Sequence, residues 1–425
     1  MRIFFDTVGC RLNQSEIERL AREFRAAGHS ITGNRGEADL VVVNTCSVTS
    51  QAASDSRQKI RQVVRLFPAA QIIATGCWAT LEPEETQALS GNVRVVVNAE
   101  KDRLTDIVLG DSVSEMDLSL IERQLLPGSR QRMRAFIKVQ DGCDACCTYC
   151  VTRIARGKSR GEPVERILAD IRSALSGGAR EIILSGVQLG SWGIHFPTPS
   201  RLSDLIKIIL TETDVPRLRL SSIEPWDIDP EFFSIFSDSR VCRHLHISLQ
   251  SGCAATLKRM GRRTSPGEYL EKLSFARQLD PHFSITTDVI TGFPGETFQE
   301  FAESMEFIRR TGFSGGHVFP FSSRKGTPAV AMPGQVPSRE GKQRAARVRQ
   351  VLEESAAEYR QSLLGRKGRV LWETARPQDG GFLLAGFNQE FIRVTASSPQ
   401  ELVNVISPVQ YTRNLETGLF GEILG

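Results

Sequence analysis

The chain has 425 residues, of which 40% are hydrophobic and 24% charged, with a formal net charge of +4. This is the balance of a globular chain large enough to bury several cores without disulfide staples, and its length suggests about three domains. The mildly basic pI near 8.6 permits a nucleic-acid partner without requiring one. No apolar run reaches the roughly eighteen residues of a membrane span. The opening MRIFFDTVGCRLNQSEIE lacks the charged-then-apolar layout of a secretory signal. We therefore expect a cytoplasmic protein with no membrane partner, in a compartment where thiols stay reduced. Its nine cysteines then read as metal ligands, redox groups or buried fillers rather than disulfides.

Residues 1–108 alternate strand and helix signals. Apolar runs at Ile3–Phe5, Leu40–Val43, Ile72–Ala74 and Val93–Val97 read as buried strands. Residues 15–27 carry Ile17, Leu20, Phe24 and Ala27 at helical spacing, with Gly28 as the stop. This pattern predicts an N-terminal, doubly wound parallel α/β domain. Residues 109–131 turn polar and contain Pro127 and Gly128, which predicts a linker.

Across 132–364 a second series begins. Strands are expected at Phe136–Gln140, Glu181–Ser185, Arg217–Ser221, His244–Leu249, Ile285–Ile290 and His317–Phe321, and helices at 164–176, 203–211, 267–279 and 297–310. Six strand–helix units are fewer than a closed eight-unit barrel holds, so a partial (β/α)6 barrel is expected, closed by a helix over 338–363. Residues 365–425 switch to short apolar runs at Arg369–Glu373, Phe382–Ala385, Phe391–Thr395 and Glu401–Ile406, broken by turn residues. They predict a small all-β barrel.

The sequence DGCDACCTYC sets Cys143, Cys146, Cys147 and Cys150 just after the first strand of the central series, at the end where parallel barrels carry their sites. Spacing alone leaves two registers open: Cys143, Cys147 and Cys150, or Cys143, Cys146 and Cys150. A structural zinc knot would use all four thiolates, although zinc sites usually come as two separated CxxC pairs. Cys10, Cys46 and Cys77 lie 36 and 31 residues apart. Scattered cysteines are ordinarily core fillers. Here each follows a strand run, and in a doubly wound sheet the loops at the strand carboxyl ends converge on one crevice.

The central cysteines resemble the CxxxCxxC signature of the radical-SAM superfamily, with Tyr149 at its aromatic position. The resemblance selects Cys143, Cys147 and Cys150. It implies a [4Fe–4S] cluster with one open iron that binds S-adenosylmethionine, and a carbon radical made by cleaving that cofactor. Cys146 is then a packing residue. The words TVGCRLNQSE, NTCSVT and ATGCWA resemble the N-terminal domain of the methylthiotransferases within that superfamily, whose members hold an auxiliary [4Fe–4S] cluster on three such cysteines. Two [4Fe–4S] clusters are thus implied, the auxiliary one on Cys10, Cys46 and Cys77.

Further stretches are similar to the same family: EIILSGVQLGSWG, RLRLSSIEP, HLHISLQSG, DVITGFPGET and HVFPFSSRKGTPA. By its pattern Ser185 and Gly186 lie near the methionyl part of S-adenosylmethionine, and Glu224 and Gln250 line the same pocket. Residues 366–425 resemble a TRAM domain, an OB-like RNA-binding barrel. Their six basic and six acidic residues give no electrostatic support for RNA binding. Two basic segments fit a phosphate track: Arg153, Arg156, Lys158 and Arg160, then Lys258, Arg259, Arg262 and Arg263.

The family implies an enzyme that replaces an adenosine C2–H of a tRNA substrate by C2–SCH3. It uses S-adenosylmethionine twice and needs a low-potential electron donor. Three branches compete, acting on threonylcarbamoyl-adenosine in tRNA, on isopentenyl-adenosine in tRNA, or on a ribosomal-protein aspartate. GCRLNQSE and FIKVQDGC…ARG look most like the first. The reading from a different class is a non-enzymatic metal-containing RNA-binding module.

Overall fold

The computed structural model describes residues 1–34, 36–110, 124, 126 and 133–424. Most of the expected linker lies outside these described residues. The chain divides into two compact units. The first is Met1–Ala179 with Leu184–Ser200 and Ser322–Val330; the second is Arg180–Ile183, Arg201–Phe321 and Ala331–Gly425.

The first unit begins β1 (Arg2–Thr7), α1 (Arg11–Ala26), β2 (Ser30–Ile31), β3 (Leu40–Thr45), α2 (Ser50–Leu66), β4 (Gln71–Gly76), α3 (Cys77–Leu81), α4 (Pro83–Gln87), β5 (Val93–Val95) and α5 (Leu104–Leu109). The five strands form one sheet in the order β2-β1-β3-β4-β5, with every pair parallel. Alternation along β3 decides which face each helix covers. Leu40 and Val42 pack with Ile17, Leu20 and Phe24 of α1 and Leu104 of α5, whereas Val41 and Val43 pack with Ile60 and Val63 of α2 and Trp78 of α3. Helices therefore lie on both faces, as the doubly wound pattern predicts. The order reverses between β1 and β3, and Cys10 and Cys46 follow these two strands. Such a topological switch point is where open α/β sheets bind ligands.

The unit continues with β6 (Arg134–Lys138), β7 (Gln140–Asp141), α6 (Thr152–Arg156), β8 (Arg160–Gly161) and α7 (Val164–Ser176). β7 and β8 pair antiparallel and so bracket the cysteine loop and α6. α1 seats β6: the Ser15 hydroxyl accepts from the Lys138 amide at 2.9 Å.

β9 (Glu181–Ser185) straddles the division between the units. Its end lies in the first unit, where Val139 N donates to Ser185 O at 2.9 Å. Its beginning lies in the second, where Ile182 N donates to Arg217 O at 2.8 Å.

The second unit continues with α8 (Leu202–Glu212), β10 (Leu218–Leu220), β11 (Ser222–Ile223), β12 (His244–Ile247), α9 (Ala254–Arg259), α10 (Pro266–Leu279), β13 (Ser284–Thr291), α11 (Phe298–Thr311), β14 (Gly315–Pro320) and α12 (Ser338–Ser362). β11-β12-β13-β14 is a parallel sheet. Capping boxes start α10 at Ser265 with Glu268 and α11 at Thr297 with Glu300.

β15 (Lys367–Gln378), β16 (Gly381–Phe387), β17 (Arg393–Ser398), β18 (Ile406–Leu415) and β19 (Gly418–Ile423) form a closed barrel. Trp372 and Tyr411 are buried in its core. The expected strand at Glu401–Ile406 is instead a turn. Asn404 sits at φ +66° and donates its N–H to Trp372 O, and the last strand pair begins only at Ile406. Likewise Phe391, at φ +63°, belongs to a turn before β17.

Two arginines of the second unit hold this barrel through its 387–389 turn. Arg217 donates to Phe387 O and Asn388 O, and Arg219 to Asn388 O and Gln389 O, at 2.9–3.1 Å. Glu181 neutralises both, at 2.6 and 2.8 Å.

Candidate active site

The three scattered cysteines come together. In the turn after β1, Gly9 has φ +102°, and a Cβ there would lie 2.6 Å from the Cys46 Sγ. Gly76, before Cys77, has φ +91° and comes as close to the Thr45 backbone. Only glycine supplies both the conformation and the approach. Asn13 ties the turns together: its amide donates to Val8 O at 2.8 Å and to Thr45 O at 3.0 Å. Asn98 Nδ2 lies 3.8 Å from Cys77 Sγ and donates to Ala155 O at 2.9 Å.

A buried charge network lies beside this cluster. Arg156, at the end of α6, donates to Glu16 Oε1 at 2.8 Å, to Asp141 Oδ1 at 3.0 Å and to Asn13 Oδ1 at 2.9 Å. Lys101 reaches Glu16 at 2.8 Å, and Lys138 reaches Glu162 at 3.1 Å and Asp102 at 3.0 Å. Burial pushes the Glu16 carboxyl up, but Arg156, Lys101 and Lys138 outweigh it and hold it well below the ordinary carboxylate range. Cys10 keeps an open face, yet the protein around it pushes its thiol up, while Arg156 pulls it down. Burial lifts the Cys46 thiol to about 11, with Cys10 and Cys77 adding to the rise and Arg156 opposing it. The mutual influence of the three sulfurs places them in one electrostatic neighbourhood.

The second cysteine group is a loop shaped by backbone. Gly142 has φ +68°, and a Cβ there would lie 2.0 Å from Lys158 O. Gln140 is fully buried. Its amide donates to Asp141 O and Gly142 O at 2.8 Å and accepts from Gln188 N at 2.8 Å. Cys143 Sγ is 3.2 Å from Gln188 Oε1, and Cys150 Sγ accepts from the Thr152 amide at 3.4 Å. Cys146 points elsewhere: it is exposed and its Sγ lies 2.7 Å from Arg153 Nη1. Ser185 is buried at the end of β9, and a Cβ on Gly186 would come 2.9 Å from Gln140 Oε1.

In the second unit, Glu224 follows β11 and is ion-paired with Arg262 at 2.7 Å; the guanidinium also lies over the Trp226 ring at 4.5 Å. Gln250 takes a left-handed φ of +72°, donates to Asp288 O and accepts from Ile290 N. The expected phosphate track is only partly exposed. Arg156 and Arg262 are buried in ion pairs, and Arg259 is held by Glu300 at 2.6 Å. Arg153, Lys158, Lys258 and Arg263 face solvent. Sequence reading missed Asn13, Asn98, Gln140, Gln188 and the structural use of Arg156. None carries a spacing signal of its own, and each acts through contacts between distant segments.

A parallel strand–helix domain with a CxxxCxxC loop after its first strand defines a radical-SAM protein, and residues 137–308 match the radical SAM superfamily. Residues 2–98 match the uncharacterized protein family UPF0004. The chain belongs to the radical-SAM tRNA methylthiotransferase family. It is 35% identical to the threonylcarbamoyladenosine tRNA methylthiotransferase MtaB of Thermotoga maritima, over 91% of this chain and 89% of that protein. It is 33% identical to the MtaB of Chlamydia pneumoniae, over 98% and 97%. The tRNA-2-methylthio-N(6)-dimethylallyladenosine synthase of Desulfosudis oleivorans is 30% identical, over 89% and 84%. Among solved structures, the radical S-adenosylmethionine methyltransferase TsrM of Kitasatospora setae shares the fold, with a TM-score of 0.57 at 14% identity over 77% of each chain. No helix among the described residues is long and apolar enough to cross a membrane.

The superfamily implies a [4Fe–4S] cluster and S-adenosylmethionine. The donor set of the loop fits: Cys143, Cys147 and Cys150 are unbridged thiols, and Cys146 is turned to Arg153. Among the described residues no three His, Cys, Asp or Glu side chains converge on a single metal ion. Thiolates that bind separate corners of a four-iron cluster stand farther apart than the ligands of one ion.

Proposed function

We propose that the chain is a radical-SAM methylthiotransferase that converts C2–H to C2–SCH3 on N6-threonylcarbamoyladenosine next to the anticodon of tRNA. The observation that carries this reading is the gathering of Cys10, Cys46 and Cys77 at the carboxyl ends of three neighbouring strands of the first sheet, with Arg156, six residues after Cys150, held against them. Cys143, Cys147 and Cys150 would hold one [4Fe–4S] cluster, and Cys10, Cys46 and Cys77 an auxiliary one. When bound, the first cluster and S-adenosylmethionine would supply the reducing electron and, from cofactor cleavage, the carbon radical needed for hydrogen-atom abstraction. By the family's pattern Tyr149, Ser185, Gly186, Glu224 and Gln250 would contact S-adenosylmethionine, Ser185 and Gly186 at its methionyl part. Arg156 offsets negative charge at the auxiliary cysteines, and the buried Gln140 holds the loop in register.

We read three domains, 1–108, 132–364 and 365–425, joined by a linker at 109–131. The six strand positions from β6 to β14 are read as a partial (β/α)6 barrel, and the closed terminal barrel as a TRAM domain that engages tRNA. A low-potential electron donor and a cytoplasmic location complete the reading. The 30% identity to a dimethylallyladenosine synthase supports isopentenyl-adenosine as the second candidate substrate.

Anaerobic reconstitution followed by incubation with S-adenosylmethionine, reductant and tRNA carrying threonylcarbamoyladenosine tests the proposal. About eight irons per chain, 5′-deoxyadenosine and a methylthio-nucleoside in the tRNA digest are expected. Replacing Cys10, Cys46 and Cys77 by Ala is expected to spare cofactor cleavage and abolish sulfur insertion; survival of both activities refutes the auxiliary site.

A further inference from the structure

A cavity of about 370 Å³ opens within the first unit. Three cysteine-bearing segments each contribute the next residue to its wall: Ser47 after Cys46, Trp78 after Cys77 and Val151 after Cys150. Trp78, Val151, Leu81 and Ile154 give the wall an apolar part beside its charged residues, and the size is that of a site for one small ligand. The cavity therefore borders segments of both cysteine groups.

Three cations reach this cavity: Arg57, Arg324 and Lys325. Two have carboxylate partners, Arg57 with Glu85 at 2.9 Å and Lys325 with Glu82 at 3.8 Å. Arg324 differs. It donates to the Ser47 hydroxyl and, at 3.4 Å, to the Ser50 hydroxyl. Among the described residues no carboxylate lies within 4.0 Å of its guanidinium, and its Nε is buried without a hydrogen-bond partner. Glu82 acts on Arg324 only from beyond ion-pair distance, and a guanidinium whose direct partners are neutral hydroxyls keeps its capacity for an anion. Its segment is fixed in place: Ser322 Oγ lies 2.6 Å from Ser50 Oγ, Thr327 N donates to Arg324 O, and Ala329 N donates to Thr148 O in the cysteine loop.

We propose that this cavity receives the modified adenosine and that Arg324 binds the carboxylate of its N6-threonylcarbamoyl group. The inference rests on the methylthiotransferase reading and adds the group that recognises the substrate. A dimethylallyl substituent has no anion to offer Arg324. The apolar wall takes the face of the base, and the guanidinium takes the charged end of its substituent.

The test compares three anticodon stem–loops on the reconstituted holoenzyme. They are identical except for adenosine, threonylcarbamoyladenosine or its carboxylate methyl ester next to the anticodon. Wild type is expected to bind the free acid at least about ten-fold tighter than the ester, the scale of one charge-assisted contact. Arg324→Gln is expected to bring the two together while leaving iron content, cofactor cleavage and affinity for the plain loop unchanged. Arg324→Lys, which keeps the charge but not the fork, is expected to fall between. The assignment is overturned if wild type does not distinguish acid from ester or if either variant keeps the full ratio. An equal loss on all three loops also overturns it, because the cation then reads a backbone phosphate. Methylthio product from the free-acid loop is scored separately by mass spectrometry. Product formation with an unchanged ratio rejects Arg324 alone, and absence of product from wild type rejects the enzymatic reading.

Discussion

The Arg156 guanidinium lies 2.8 Å from the Glu16 carboxylate, both side chains almost wholly enclosed. One residue ends the helix that follows the cysteine loop; the other belongs to the first helix of the N-terminal sheet. Together they fix one cysteine group against the other. Removing Arg156 leaves the buried Glu16 with Lys101 and takes a donor from the buried Asp141 and Asn13. Arg156→Ala is expected to destabilise the first unit by about 3–5 kcal/mol, read as a lower midpoint in urea denaturation. A loss below about 1 kcal/mol, the range of surface pairs, would contradict the account.

The same network predicts a pH dependence. The folded Glu16 carboxyl titrates well below its ordinary value of 4.5. Its contribution is therefore complete above that pH and is lost as pH falls through the depressed folded value. The stability difference between wild type and Glu16→Gln, measured on metal-free protein, is expected to be constant near neutrality and to narrow below about pH 4.5. A difference that stays constant down to pH 3 would exclude this linkage.

Cys146 lies among the loop cysteines without sharing their direction. Its sulfur faces Arg153 at 2.7 Å. Cys146→Ala is expected to retain its iron after reconstitution, whereas Cys150→Ala is expected to lose about four irons per chain. Equal losses from both variants would return the loop to the other register.

Gly142→Ala tests the backbone of that loop. The left-handed φ of +68° alone costs an alanine about 1–3 kcal/mol, and the Lys158 carbonyl stands where the methyl would go. The variant is expected to be less stable than wild type and to retain less iron at Cys143, Cys147 and Cys150. Full iron retention at unchanged stability would show that the loop is not held as described.

In the second unit Arg217 and Arg219 share the buried Glu181 and donate to the 387–389 turn of the barrel. Arg217→Ala is expected to loosen this turn and to speed limited proteolysis near 387–389, with cleavage elsewhere unchanged. Unaltered cleavage would mean that Arg219 alone suffices.

Much of this protein was legible in its sequence because the signals are local. The strand runs of the first sheet, the helices at 164–176 and 338–363 and the cysteine loop all follow from periodicity, Gly stops and spacing, and each appears within a few residues of its expected bounds. The terminal strands were read less well. Phe391 and Asn404 adopt left-handed turns that apolar content does not reveal, and β19 lies in a hairpin with weak alternation.

The sequence by itself determined the alternation of elements and the two sets of cysteines, because residue type and spacing act through the local backbone. Only the tertiary structure decided what meets what. It brought Gly9 against Cys46, spent Arg156 and Arg262 on buried carboxylates instead of a surface track, and left Arg324 with hydroxyl partners beside the cavity. A charged residue reads the same in sequence whether it faces water or a buried partner. The difference is the desolvation of that charge and the partner that offsets it, and both are set by segments that the local sequence does not contain.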